Sequence, residues 1–196
     1  MKATLTALLL ATGTSLITMA SAQATPWHSV QDKSVISFVS IKKGDVAEVH
    51  DFGEFKAQLD DKGQFELEIA LSSVRTGVEQ RDERMKSMLF EVAQFPTVLL
   101  KAKVDTGEID DLAVGAVKML TLDAELSMHG MQANKKITLA LAKLSDSRII
   151  ASSSAPVIVN GDEFGFAGGI EKLRQVAGLS AISLAVPVNF VLTLEK

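Results

Sequence analysis

Apolar and polar residues alternate with a period of two along much of the chain, as in strands with one covered face. Phe65, Leu67, Ile69 and Leu71 fall on one side with Glu66 and Glu68 opposite. Near the end of the chain Ile182, Leu184, Val186, Val188, Phe190, Leu192 and Leu194 do the same. Residues 34–42 differ, because Val35, Val39 and Ile41 alternate with Ile36 and Phe38, so a strand covered on both faces is expected. Further strands are predicted over 46–55, interrupted by Gly53 as a bulge or bend, and over 98–104, 112–120, 121–129, 136–144 and 148–158. Turn residues separate them at Lys43-Gly44-Asp45, at Asp60-Asp61-Lys62-Gly63, at Asp146-Ser147 and at Asn160-Gly161-Asp162.

The period changes twice. From Gly77 to Phe90 the apolar residues Val78, Met85, Met88 and Leu89 recur at helical spacing, and Val92 continues the row. Thr76 stands three residues before Glu79, the spacing of a capping box, and Pro96 is the expected stop. Asp82 falls on the apolar side, so its carboxylate needs a partner; Arg75, Arg81, Arg84 and backbone donors are the candidates, and a structural role in pinning the helix is expected. A second, short helix opens at Gly168-Gly169, with Ile170, Leu173 and Val176 on one side and Gly178 at its C-cap. Many closely spaced strands with two helical insertions predict a mainly β antiparallel barrel or sandwich.

The run Val74–Val104 also carries a resemblance. TG followed by RDERM, LF and FPTV, with SVISFVSIKKG before it and LTLDAELSMHGMQANKKITLAL after it, resembles the YceI-like family. That resemblance implies a lipocalin-like barrel of about eight strands, secreted or periplasmic, that binds a long polyisoprenoid or quinone-like lipid. One departure stands out: where many members carry an Arg after the Asn, this chain has Gly161 in the run NGDEFGF, so no head-group role can be carried over to that position.

Residues 1–22 read as a signal peptide. Lys2 supplies the positive end, an apolar run follows, and Ala20-Ser21-Ala22 is a small-x-small cleavage site that would leave Gln23 first. A single domain, residues 23–196, and a periplasmic location are therefore expected. The chain has no Cys, so the exported domain would fold without disulfides. A net charge of −4 without basic runs argues against nucleic acid as a partner. No Tyr and one Trp argue against the aromatic girdles of a membrane barrel.

Catalytic constellations are not apparent. Ser152-Ser153-Ser154 has no nucleophile elbow around it. His28, His50 and His129 lack metal-ligand spacing, and His50 beside Glu48 and Asp51 reads more simply as a satisfied core or surface residue. The acidic pairs Asp60-Asp61, Asp110-Asp111 and Asp162-Glu163 read as solvated turns. The expectation is a non-enzymatic carrier without cofactor or metal, its partner the lipid itself and, at most, a second copy of the chain. Phe38, Phe55, Met85, Met88, Leu89, Phe90 and Phe95 are the candidate tail contacts, with Arg81 for a head group. The alternative is a stress-response or interaction module with a closed, filled barrel.

Overall fold

The computed structural model describes residues 25–196; the leader and its cleavage site lie outside the described residues. The strands are β1 (Trp27–Ser29), β2 (Val35–Lys42), β3 (Val46–Phe52), β4 (Phe55–Leu59), β5 (Gln64–Ala70), β6 (Val74–Arg75), β7 (Thr97–Lys103), β8 (Val117–Met128), β9 (Met131–Ser145), β10 (Arg148–Ser153), β11 (Val157–Asn160) and β12 (Ala185–Glu195). The helices are α1 (Glu79–Arg84), α2 (Gly107–Asp110) and α3 (Ala167–Val176).

Antiparallel pairing in the order β1-β4-β5-β7-β8-β9-β10-β12, with β12 returning to β1, closes an eight-stranded barrel. Several strands are broken on the way. β1 and β2 both run along β12, separated by a turn at Gln31–Lys33. Gly53 separates β3 from β4, as its position inside the alternating run implies. Pro156 lies between β10 and β11, which splits the strand expected over 148–158. The beyond-barrel pieces β2, β3, β6 and β11 extend the wall on one side, and α1 and α3 cover the end beside them.

Inward positions follow the alternation. Leu67, Ile69, Leu192 and Leu194 are buried, while Glu66, Glu68, Lys101 and Lys136 lie on the outside. β2 buries Ile36 and Phe38, but on its other face Val35 is 41% exposed and Val39 and Ile41 are only partly buried, so the expected cover on both faces is incomplete. Residues 117–128 form one continuous strand rather than the two expected over 112–120 and 121–129. The segment before it is held in a different way: α2 crosses one end of the barrel, with Ile109 buried and the buried Lys143 Nζ reaching the carbonyls of Ile109 (3.4 Å) and Asp110 (3.3 Å). Trp27 closes the same end, buried beside its partner Leu59 with Lys196 Nζ 4.6 Å from the ring centre.

At the opposite end the main helix is α1 plus a five-residue π turn, Met85–Leu89, in which Phe90 N–H donates to Met85 O at 2.9 Å. The capping box does not form. Val78 is the N-cap, two positions after Thr76, so Glu79 is the first helical residue rather than the third, because Gly77 (φ 76°) turns the chain before the helix begins. The helix also ends before Pro96 is reached: Glu91 takes a left-handed conformation (φ 49°) and stops it. α3 ends as the glycine implies. Gly178 (φ 64°) donates to Gln175 O and Leu179 N–H donates to Arg174 O, both at 3.0 Å, the paired bonds of a Schellman cap. Ile170 and Leu173 pack inward, whereas Val176 is exposed, since α3 has left the barrel by that turn.

Candidate functional site: an apolar cavity under the helical end

The barrel encloses a cavity of about 230 Å³ whose lining is apolar throughout. Every strand of the closed ring except β1 contributes, as do the π turn and α3. Leu100, Leu120, Leu122, Val186, Val188 and Phe190 point inward yet are only partly buried, because part of their surface faces this space rather than another side chain. An apolar cavity of about 150 Å³ already stays dry and takes up small hydrocarbons. The outside of the barrel is the reverse, charged on β4, β5 and β7 through Lys56, Glu66, Glu68 and Lys101. A barrel that faced lipid with its outer wall would carry the opposite pattern.

The sequence-predicted contacts divide into two groups. Phe38, Met85, Leu89 and Phe90 line the cavity. Phe55 is buried opposite Ile69 on β5 but does not border the space. Met88 is half-buried and lies off it, because the extra residue in the π turn aligns Met85 with Leu89 and Phe90 and rotates Met88 away. Its backbone carbonyl instead meets α3, where a Cβ on Gly169 would stand 2.9 Å from Met88 O and 3.1 Å from Leu89 Cα. Phe95 packs against His129 with the rings tilted by 54° (centroids 4.3 Å), outside the cavity. Residues that were not anticipated include Phe52 and Phe166, which continue the aromatic row from Phe38 through Phe90. Strand parity with His50 and the NGDEFGF run held weak hints of each.

Arg81 does not reach the cavity. Its Nη1 donates to Glu48 Oε2 (2.6 Å), its Nε to Thr76 Oγ1 (2.8 Å) and its Nη2 to Thr76 O (2.7 Å). Lys42 Nζ takes the other Glu48 oxygen at 2.7 Å. Those bonds, Lys42 first, hold the Glu48 carboxyl below its ordinary pKa. Asp82 Oδ1 accepts from the Thr76 N–H at 3.0 Å and from the Thr76 hydroxyl, so the carboxylate ties the helix to the strand before it. Under this polar cluster lies His50, 4% exposed, with Ser40 Oγ 2.8 Å from Nε2. Glu48 is spent on cations and Asp51 on Arg75, and among the described residues no group of His, Cys, Asp and Glu assembles that could hold a metal ion.

On the far side of the π turn His129 bridges three segments. Nε2 is 3.0 Å from Glu91 Oε2 and Nδ1 is 3.2 Å from Phe164 O, which joins the helix exit, the β8–β9 hairpin and the turn Gly161–Phe164. Asn160 caps that turn with a capping box, and Gly161 borders the cavity. A Cβ at 161 would lie 3.0 Å from Ile170 Cδ1, so this chain packs α3 where a larger residue would stand.

The YceI-like domain pattern matches residues 27–194. The chain belongs to the YceI-like family. A solved polyisoprenoid-binding domain from Saccharophagus degradans is 34% identical with a TM-score of 0.85, covering 87% of this chain and 98% of that one. BcnA of Burkholderia cenocepacia is 17% identical with a TM-score of 0.66, covering 84% of this chain and 98% of BcnA, and shares the fold. The Campylobacter jejuni YceI protein, 13% identical with a TM-score of 0.56 over 75% of this chain and 84% of its own, also shares the fold. No curated protein matches.

Proposed function

We propose that this YceI-like protein is an exported, non-enzymatic carrier that holds the tail of a long-chain isoprenoid lipid inside the barrel. The observation that carries the reading is the apolar cavity of about 230 Å³ lined by inward side chains that keep accessible surface. Burial of each CH₂ of such a tail is worth about 0.8 kcal/mol, so a long chain gains far more from this space than from water. The identity of 34% to a domain described as polyisoprenoid-binding supports an isoprenoid over a straight chain. A lining without polar atoms offers no nucleophile or general base to a bound lipid, which favours carriage over chemistry. The leader supports a periplasmic site of action.

Val188→Trp tests the reading. Val188 sits in the first half of β12, opposite Phe38 on β2, lines the cavity and is only partly buried. An indole there should fill the tail's space, so lipid extracted from protein made in its own host should fall sharply. Stability compared after delipidation should change by less than the roughly 1–3 kcal/mol of an overpacked core. Strong destabilisation, with nothing extractable from the unaltered protein, would instead mark a filled barrel and favour an interaction module.

A further inference from the structure

The strand ladder of the barrel is incomplete at the end opposite α1. β7 pairs with β8 from Leu99–Ser127 to Ala102–Ala124, so residues 117–122 of β8 run past the end of β7 and are bonded to β9 alone. On this stretch Leu120 and Leu122 line the cavity, while Met119 and Thr121 alternate with them and are exposed. The connection from β7 to β8, residues 104–116, folds back across the gap. Val104 and Ile109 are buried and border the cavity from it, and Glu108 of α2 forms an ion pair with Lys118 on β8.

The two ends of the barrel are fastened unequally. α2 is one turn of four residues, far below the roughly 12 at which a helix begins to hold by itself, and Ile109 is its one buried side chain. Lys143 Nζ reaches its carbonyls at 3.4 and 3.3 Å, long beside the usual value of about 2.9–3.0 Å. The Glu108–Lys118 pair is open to water, where such pairs hold little. At the helical end, by contrast, Arg81 makes three bonds of 2.6–2.8 Å, Asp82 ties α1 to Thr76, His129 bridges three segments, and α3 packs its backbone on the π turn at Gly169. Local opening is drawn from segments with few buried contacts and weak bonds, which here is the α2 connection.

We infer that α2 is a hatch, and that the lipid tail enters and leaves the cavity through the gap between β7 and β8 when α2 lifts. The inference rests on the carrier reading and adds the route. Lifting α2 exposes Ile109 and breaks two long bonds and one surface ion pair, while the barrel ladder stays whole. The surface beside the gap suits an apolar chain in transit: Val114, Val117, Met119 and Leu144 are all exposed there, and Leu120 and Leu122 continue the apolar path on the inner face of β8.

The test uses delipidated mature protein and all-trans-retinol, an isoprenoid alcohol whose uptake is followed by energy transfer from Trp27, the one Trp of the chain. Because the chain has no Cys, two engineered pairs can be joined by a reducible bis-maleimide without side reactions. Glu108→Cys with Lys118→Cys ties α2 to β8, and Glu91→Cys with His129→Cys ties the helical end. The first link should slow uptake and release at least tenfold, leave the equilibrium affinity within twofold, and lose its effect on reduction. The second should leave both rates within twofold. Reduction of the same sample separates a closed route from a damaged fold. In the unaltered protein, amide hydrogen exchange should be faster across residues 105–116 than across 79–92. Unchanged rates with the first link, slowing by the second, or the reverse order of exchange overturns the hatch and leaves the carrier reading standing. Failure of the unaltered protein to bind retinol, with no isoprenoid extractable from protein made in its own host, overturns the carrier reading and the hatch with it.

Discussion

Asp82→Ala should destabilise the folded protein by about 2 kcal/mol. Asp82 Oδ1 accepts two hydrogen bonds from one residue, the backbone N–H of Thr76 at 3.0 Å and its hydroxyl. Bonds to a charged acceptor contribute about 1.5–3 kcal/mol each. The hydroxyl can turn to Val78 O, 3.4 Å away, so part of its loss is recovered, whereas the N–H loses the carboxylate outright. For a domain of this size such a loss lowers Tm by about 4–8 °C. Urea melts on delipidated protein should show the midpoint falling with an unchanged slope. Glu79→Ala is the control, because Glu79 is exposed and N-caps nothing; it should change stability by less than about 0.5 kcal/mol. Thr76→Val combined with Asp82→Ala should cost less than the two singly added, since they share a bond. If Asp82→Ala melts like the unaltered protein while Glu79→Ala does not, the capping box holds the helix and the tether argued here is wrong.

Two further outcomes are expected. Gly169→Ala should destabilise by about 1–2 kcal/mol in thermal melts, although alanine favours a helix, because its Cβ would meet Met88 O at 2.9 Å where α3 crosses the π turn; a gain in Tm would show that this contact yields. Stability should also fall below about pH 6.5, since burial lowers the folded His50 pKa beneath its ordinary value of 6.5 and the unfolded chain takes up the proton first. Urea midpoints measured from about pH 8 down to about pH 5 should show the decline, and His50→Gln should flatten it.

The barrel was legible wherever one face of a strand is wet. β5 and the end of β12 read directly from their alternation, the break at Gly53 from its place inside an alternating run, and the end of α3 from the left-handed conformation that Gly178 allows. Residues 112–116 were misread as the start of a strand because Leu112 and Val114 look like strand residues, whereas they form a bend and turn after α2, which is held by Lys143, a contact from β9 that no local pattern announces. The main helix was legible as a helix but not as a π turn, since the extra residue depends on packing against α3 rather than on propensity. That one local change moved Met88 off the cavity and brought Phe90 onto it. Arg81 could be recognised as a cation near the helix start, but its ion pair with Glu48, 33 positions earlier, required the fold. For the same reason His50 looked ordinary in sequence: only pairing with Phe38 turns it inward and only the surrounding ion pairs leave Nδ1 without a partner.

Whether the cavity holds an isoprenoid lipid can be read from native mass spectrometry of mature protein purified from its own host without detergent. One adduct per chain is expected, with fragmentation that steps by isoprene units, lost from Val188→Trp and retained in Asp82→Ala. Protein that flies at its bare polypeptide mass under conditions gentle enough to keep non-covalent ligands, or that carries only straight-chain lipids, would contradict it.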